Sequence, residues 1–217
     1  MISWDIDARN LHLIISRLKL ATKYLFDDVR TKTIKILEAH WGTEPNIPPV
    51  RKDVFQLYRT GFHPGLLLEV AQECNVPGIL PLAYNDLISM PKLLSSDSED
   101  AIQQYWNHPS LTQADLRKAA AASDIIRKRI DGIKSWQAYH HNTNACNMAA
   151  GKWLIEYAKP ELHRTVDIWA TLSEMEKPDA MKGYSICTIC MAKGCTAFLS
   201  FRNNLWASWH TIWKLCD

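Results

Sequence analysis

The stretch LHLIISRLKLATKYLFDDVRTKTIKILEAHWG, residues 11–42, decides the fold class. Leu11, Ile14, Ile15, Leu18 and Ala21 recur at helical spacing, and Val29, Thr33, Ile36, Leu37 and Trp41 repeat the pattern. The pattern predicts two consecutive helices. Asp27 is a good cap for the second, Asp28 falls in its first turn where the dipole favours negative charge, and Gly42 ends it. The segment GTEPNIPP, with three prolines, then forbids regular structure and separates this helix pair from the rest of the chain.

Outward from this pair the punctuation stays helical. Residues 50–90 predict three short helices broken at Gly61, Pro64, Gly65, Pro77 and Gly78. The polar run SSDSED interrupts the chain again, and Thr112 with Asp115 three residues on is a capping-box signature. Leu116, Ala119, Ser123, Ile126, Ile130 and Ile133 mark the buried stripe expected of the helix behind it. Further helices are predicted at about 144–158, at 161–176 with Pro160 in or near the first turn, and from about 189 to 215. No segment alternates convincingly as a strand, and no internal repeat or long low-complexity tract stands out. The expectation is an all-α chain, an irregular multi-helix array, divided into 1–42, 50–110 and 111–217.

Bulk composition is that of an ordinary globular protein: 217 residues, 47% hydrophobic and 22% charged. Formal charge is +2 and no block of five or six like charges occurs, so bulk electrostatics does not select a nucleic acid or acidic partner. Nine Trp are present; Trp136, Trp153, Trp169, Trp206 and Trp209, with Trp213 beyond, predict a last third packed around aromatics. The apolar stretch near the N-terminus is broken by His12, Arg17 and Lys19, which does not fit a signal peptide. No run reaches the roughly 18 apolar residues of a membrane span. A soluble intracellular chain is expected, in cytoplasm or nucleus, with reduced thiols.

In YSICTICMAKGC, residues 184–195, three of the six cysteines fall within nine positions. The Cys187-x-x-Cys190 pair lets two thiolates turn toward one point, and zinc needs a second pair of ligands to complete a tetrahedron. Upstream, HHNTNAC offers His140, His141 and Cys146. The candidate site is His141, Cys146, Cys187 and Cys190, with His140 or Cys195 as substitutes and structural zinc as the cofactor. Ordinary buried cysteines account for the same residues more simply, since free Cys behaves as a small hydrophobe. A redox site of the thioredoxin kind would require a strand leading into the motif, which a helical chain does not supply.

Enzyme signatures are absent from the sequence. AGKW at 150–153 lacks the upstream Gly and the Ser or Thr of a phosphate loop, and there is no G-x-S-x-G, H-E-x-x-H or dinucleotide fingerprint. Asp27 with Asp28 reads as a helix start and not as an acid–base pair. His12, His40, His63, His108, His163 and His210 have no interpretable partner spacing, and the Trp206, Trp209, Trp213 stripe reads as core, since few basic residues interleave it. No catalytic residue is assigned.

The segment RLKLATKYLFDDVRTKTIKIL, residues 17–37, resembles the last two helices of a BTB/POZ domain, with an LA-x-KY helix followed by one entered at DDVR. HPGLLLEVAQECNVPGILPLAYNDL, residues 63–87, is similar to the region following the BTB fold in proteins of mushroom-forming fungi, at Val70, Ala71, Val76, Pro77, Leu80, Pro81, Ala83, Tyr84 and Leu87. Cys146, Cys187, Cys190 and Trp206 stand where those proteins carry a Cys-containing stretch, a C-x-x-C and a Trp-bearing helix. The resemblance implies an adaptor or scaffold role without chemistry. Since the chain starts near the end of the BTB fold, dimerisation and cullin-type ligase binding, which use the earlier part, are not carried over.

Two functions are expected to compete. The first is a non-enzymatic protein–protein interaction module, whose surface is formed by Leu11, Ile15, Leu18 and Ile34, left without the rest of a BTB core and open to a protein partner or to self-association. The bland counterpart is that these side chains fold back on the helices at 53–90. The second is a zinc-stabilised helical module with a regulatory, transcription-related role. Neither requires a membrane, and nucleic acid is not an expected partner.

Overall fold

A computed structural model describes residues 8–42, 57–58, 61–92, 99–133, 144–165 and 168–214. Among them no strand occurs, and the all-α expectation holds. The chain divides into two compact units, residues 1–121 with the last two residues, and residues 122–215. The break predicted over the proline segment does not separate units, because the first helix pair and the helices after residue 61 belong to the same one.

In the N-terminal unit, α1 (Ala8–Lys23) and α2 (Asp27–Trp41) form a helical hairpin, followed by α3 (Gly65–Glu73), α4 (Leu80–Ser89) and α5 (Glu99–Trp106). Helix α6 (Gln113–Asp131) carries the unit boundary within it. Asp27 is not the cap predicted for α2: Phe26 holds the N-cap position, and Asp27 and Asp28 both lie in the first turn, where their charge still favours the helix start. Between the two helices Leu25 adopts φ +58, a left-handed conformation that is costly for a branched side chain. Gly42 closes α2 as predicted; a Cβ there would lie 2.2 Å from the Glu38 carbonyl oxygen.

The stripe Leu11, Ile15 and Leu18 is buried in this unit, and Ile34 is half-buried. This corrects the proposed interaction surface. α1 packs on both α2 and α3, so the apolar stripe is the seam of the unit, and its burial supplies the hydrophobic term that holds the hairpin. Lys19 ties the same helices at their edge, with Nζ 2.6 Å from Glu69 and 2.8 Å from Glu73. The exposed apolar side chains sit elsewhere, at Leu13, Leu20, Tyr24, Leu25 and Phe26.

Several buried polar groups of the unit are paired, whereas the buried Thr22 hydroxyl has no hydrogen-bond partner among the described residues. The Trp41 indole N–H donates to Asp86 at 3.0 Å, and the Tyr58 hydroxyl donates to the same carboxylate oxygen. The capping box predicted at Thr112 forms reciprocally: Asp115 N–H donates to Thr112 Oγ1 at 3.1 Å and Thr112 N–H to Asp115 Oδ2 at 3.0 Å. Tyr84 and Gln72 also donate to Asp115, at 2.6 and 3.0 Å. Burial pushes the Asp115 carboxyl up, but the hydrogen bonds from Thr112, Tyr84 and Gln72 outweigh it and hold the group below the usual range. Of α6, Asp115 and Ala119 are buried in this unit and Ala122, Ile126 and Ile130 in the second; Ser123, predicted inside, is exposed, and Leu116 and Ile133 are half-buried.

His63 is 8% exposed, and its two ring nitrogens are distinguished by their partners. Gly65 N–H donates to Nδ1 at 2.9 Å, so the proton resides on Nε2, which faces the Tyr105 carbonyl at 3.1 Å. The ring stacks on His108 with centroids 4.0 Å apart. Burial, reinforced by His108, lowers the pKa of His63 to about 4. Between pH 6.5 and 4 the unfolded chain therefore takes up a proton that the folded one refuses, and stability falls as the solution is acidified through that window. The loss is at most about 3 kcal/mol from this residue and levels off below pH 4. Urea unfolding at pH 7 and pH 4.5 measures it, and His63→Asn, which keeps an acceptor for Gly65, flattens the slope. Glu69, held low by Lys19 and Ser110, and Asp115 extend the loss to lower pH.

In the C-terminal unit, α7 (Asn144–Trp153) runs through a wide turn, Leu154–Ala158, into α8 (Lys159–Arg164). Pro160 has no N–H for the carbonyl four residues back, and ahead of it the Lys159 N–H reaches Leu154 instead, five residues away. The single helix predicted over 161–176 is interrupted: Thr165 is extended, and α9 spans Ile168–Met175. Helix α10 (Thr188–Ala207) and α11 (Trp209–Lys214) divide the predicted 189–215 helix at Ser208, whose hydroxyl donates to the Asn204 carbonyl at 2.8 Å. Of the tryptophans expected to pack the last third, Trp153, Trp169, Trp206 and Trp209 are buried, while Trp136 and the Trp213 side chain lie outside what the structure describes. Trp169 meets Trp206 and Trp209 edge to face at 4.8 and 4.9 Å, and Trp153 meets Phe198 at 5.3 Å while donating to the Ala180 carbonyl at 2.8 Å.

Candidate metal centre

Cys187 is the N-cap residue of α10, with φ −71 and ψ 159, and Cys190 is the third residue inside the helix. The extended approach followed by an immediate helical turn places both thiols at the helix start. Cys146, third residue of α7, supplies another from 41 residues upstream. The three Sγ atoms all lie within 4.8 Å of one another; Cys146 and Cys190 are buried and Cys187 is partly exposed. A zinc ion with Zn–S bonds of about 2.3 Å needs sulfurs about 3.8 Å apart, so closure around the metal asks for roughly 1 Å of movement at most.

The local electrostatics suit a metal-binding thiolate. The backbone N–H of Cys190, then its thiol, lower the pKa of Cys187, with smaller help from Cys146 and the Ile189 N–H. Burial first, then Cys187 and Cys146, push Cys190 up to about 11. A divalent cation bound there would displace the thiol protons. Backbone N–H groups directed at the first sulfur are the polar support that a ligating thiolate requires.

Of the predicted ligands, the fold brings together Cys146, Cys187 and Cys190. His141 and its substitute His140 lie outside the described residues. Cys195, offered as a substitute, is not in the cluster: five residues past Cys190, it is about one and a half turns farther along α10, and burial raises its pKa. Cys74 is buried in the N-terminal unit. What sequence reasoning missed is the polar interior of that unit. Asp86 stands alone as a charged residue in the apolar run LPLAYNDLIS, and that isolation is the signal the sequence offers.

These features define a helical protein with a three-thiol centre. Compared with protein-family models, curated proteins and solved structures, the chain matches none.

Proposed function

We propose that the chain is a non-enzymatic helical interaction module whose C-terminal unit is stapled by a structural zinc ion on Cys146, Cys187 and Cys190. The convergence of three thiols from two helices 41 residues apart in sequence carries this reading. His141, five residues ahead of Cys146, is the fourth ligand we assign. The ion would fix the start of α10 to the start of α7, and supply folding free energy without chemistry on a substrate. Such a centre operates where thiols stay reduced, inside the cell.

The adaptor role agrees with the resemblance of residues 17–37 and 63–87 to fungal BTB-type proteins. In this reading the protein partner meets the exposed apolar side chains Leu13, Leu20, Tyr24, Leu25 and Phe26, in place of the buried stripe. Elemental analysis of protein purified without chelators tests the staple. About one zinc per chain is expected, and none after the double change Cys187→Ser, Cys190→Ser. Wild-type protein without stoichiometric zinc ends the proposal.

A further inference from the structure

We infer that Cys187 and Cys190 form a peroxide-sensitive pair, and that their oxidation to a disulfide expels the metal. This rests on the zinc staple proposed above. Burial grades the cluster: Cys187 is its partly exposed sulfur, whereas Cys146 and Cys190 are buried. A small hydroperoxide arriving from solvent therefore meets Cys187 first, next to Ile189, which is half exposed. Once Cys187 is oxidised, two thiols stand within 4.8 Å of it. Cys190 is the one that resolves the intermediate. It lies three residues away in the first turn of the same helix, so side-chain rotation suffices, whereas Cys146 belongs to a second helix anchored by buried Ala150 and Trp153.

The Cys187 thiolate attacks one peroxide oxygen; an S–O bond forms, the O–O bond breaks, and hydroxide leaves to become water. Cys187 is then a sulfenic acid. The Cys190 sulfur attacks the Cys187 sulfur, an S–S bond forms, the S–O bond breaks, and a second hydroxide departs and takes up a proton. Two sulfurs have lost one electron each, and hydrogen peroxide has been reduced to two waters. With Cys187 and Cys190 joined in a disulfide, Cys146 alone of the three thiols would be left to hold a metal.

The test uses the full zinc-loaded chain, hydrogen peroxide and a chromogenic zinc chelator. Release of about one zinc should accompany loss of two thiols per chain. The tryptic peptide 183–193, which contains both cysteines, should become about two mass units lighter, and dithiothreitol should restore both thiols and zinc uptake. Cys195→Ser should behave as wild type, whereas Cys146→Ser should still form the disulfide with its zinc affinity lost. A chain that takes up no zinc defeats the staple itself. A chain that takes up zinc, and keeps it with all thiols intact at peroxide levels that oxidise free glutathione, defeats the redox pair alone. Zinc release with a disulfide reaching Cys146 also overturns it.

Discussion

Removing zinc is expected to lower the stability of the C-terminal unit by about 4 kcal/mol when free zinc had exceeded its dissociation constant a thousandfold. The gain would disappear because the proposed ligands are thiols held within 4.8 Å of one another in the folded unit and scattered in the unfolded chain. Complete unfolding is not expected. The packing of Trp169 against Trp206 and Trp209, and of Trp153 against Phe198, involves none of the cysteines, so a zinc-independent core persists. Urea unfolding with and without EDTA, followed by the fluorescence of those indoles, measures the difference. Cys190→Ser should reproduce the EDTA result without chelator and make the two curves coincide. If zinc-loaded wild type unfolds at the same urea concentration with and without EDTA, the ion does not hold this unit together.

Asp86→Ala should destabilise the N-terminal unit by about 3–5 kcal/mol, because it strips two buried donors of their acceptor. The Trp41 indole N–H and the Tyr58 hydroxyl both end on Asp86 Oδ2, and all three residues are buried. Neither donor reaches water after the truncation, so each bears a desolvation cost of about 1–3 kcal/mol in addition to the lost carboxylate contacts. Asp86→Asn retains an amide oxygen at that place and should cost about 1–2 kcal/mol, the difference between a charged and a neutral acceptor. Chemical denaturation of the two variants ranks them. An alanine variant within about 1 kcal/mol of wild type would mean that the pair of hydrogen bonds contributes little beyond packing.

The legible parts of this chain are those encoded over a few residues. Helical spacing at Leu11 to Ala21 and Val29 to Trp41 predicts the first hairpin, and Thr112 with Asp115 predicts a capping box that forms in both directions. Cys187 and Cys190 of the candidate centre are legible because C-x-x-C geometry is itself local, whereas only the fold shows that Cys146 joins the pair and Cys195 does not. Periodicity tells which face of α1 is apolar and is silent on what covers it; for that reason Leu11, Ile15 and Leu18 read as a surface in the sequence and prove to be a seam against α2 and α3. Helix interruptions at Thr165 and Ser208 carry no Gly or Pro of their own and leave no mark in the sequence. The pairing of Trp41 and Tyr58 with Asp86 joins residues 45 and 28 positions apart, beyond the reach of any local window.

The perpendicular indoles around Trp169 have an optical consequence. Aromatic rings held edge to face at such short range couple their electronic transitions, and in circular dichroism that coupling adds signed bands which overlap the amide signal. A spectrum taken at face value would then misstate the helix content of the C-terminal unit, and the same bands would vanish on loosening of the indole cluster before any backbone had unwound.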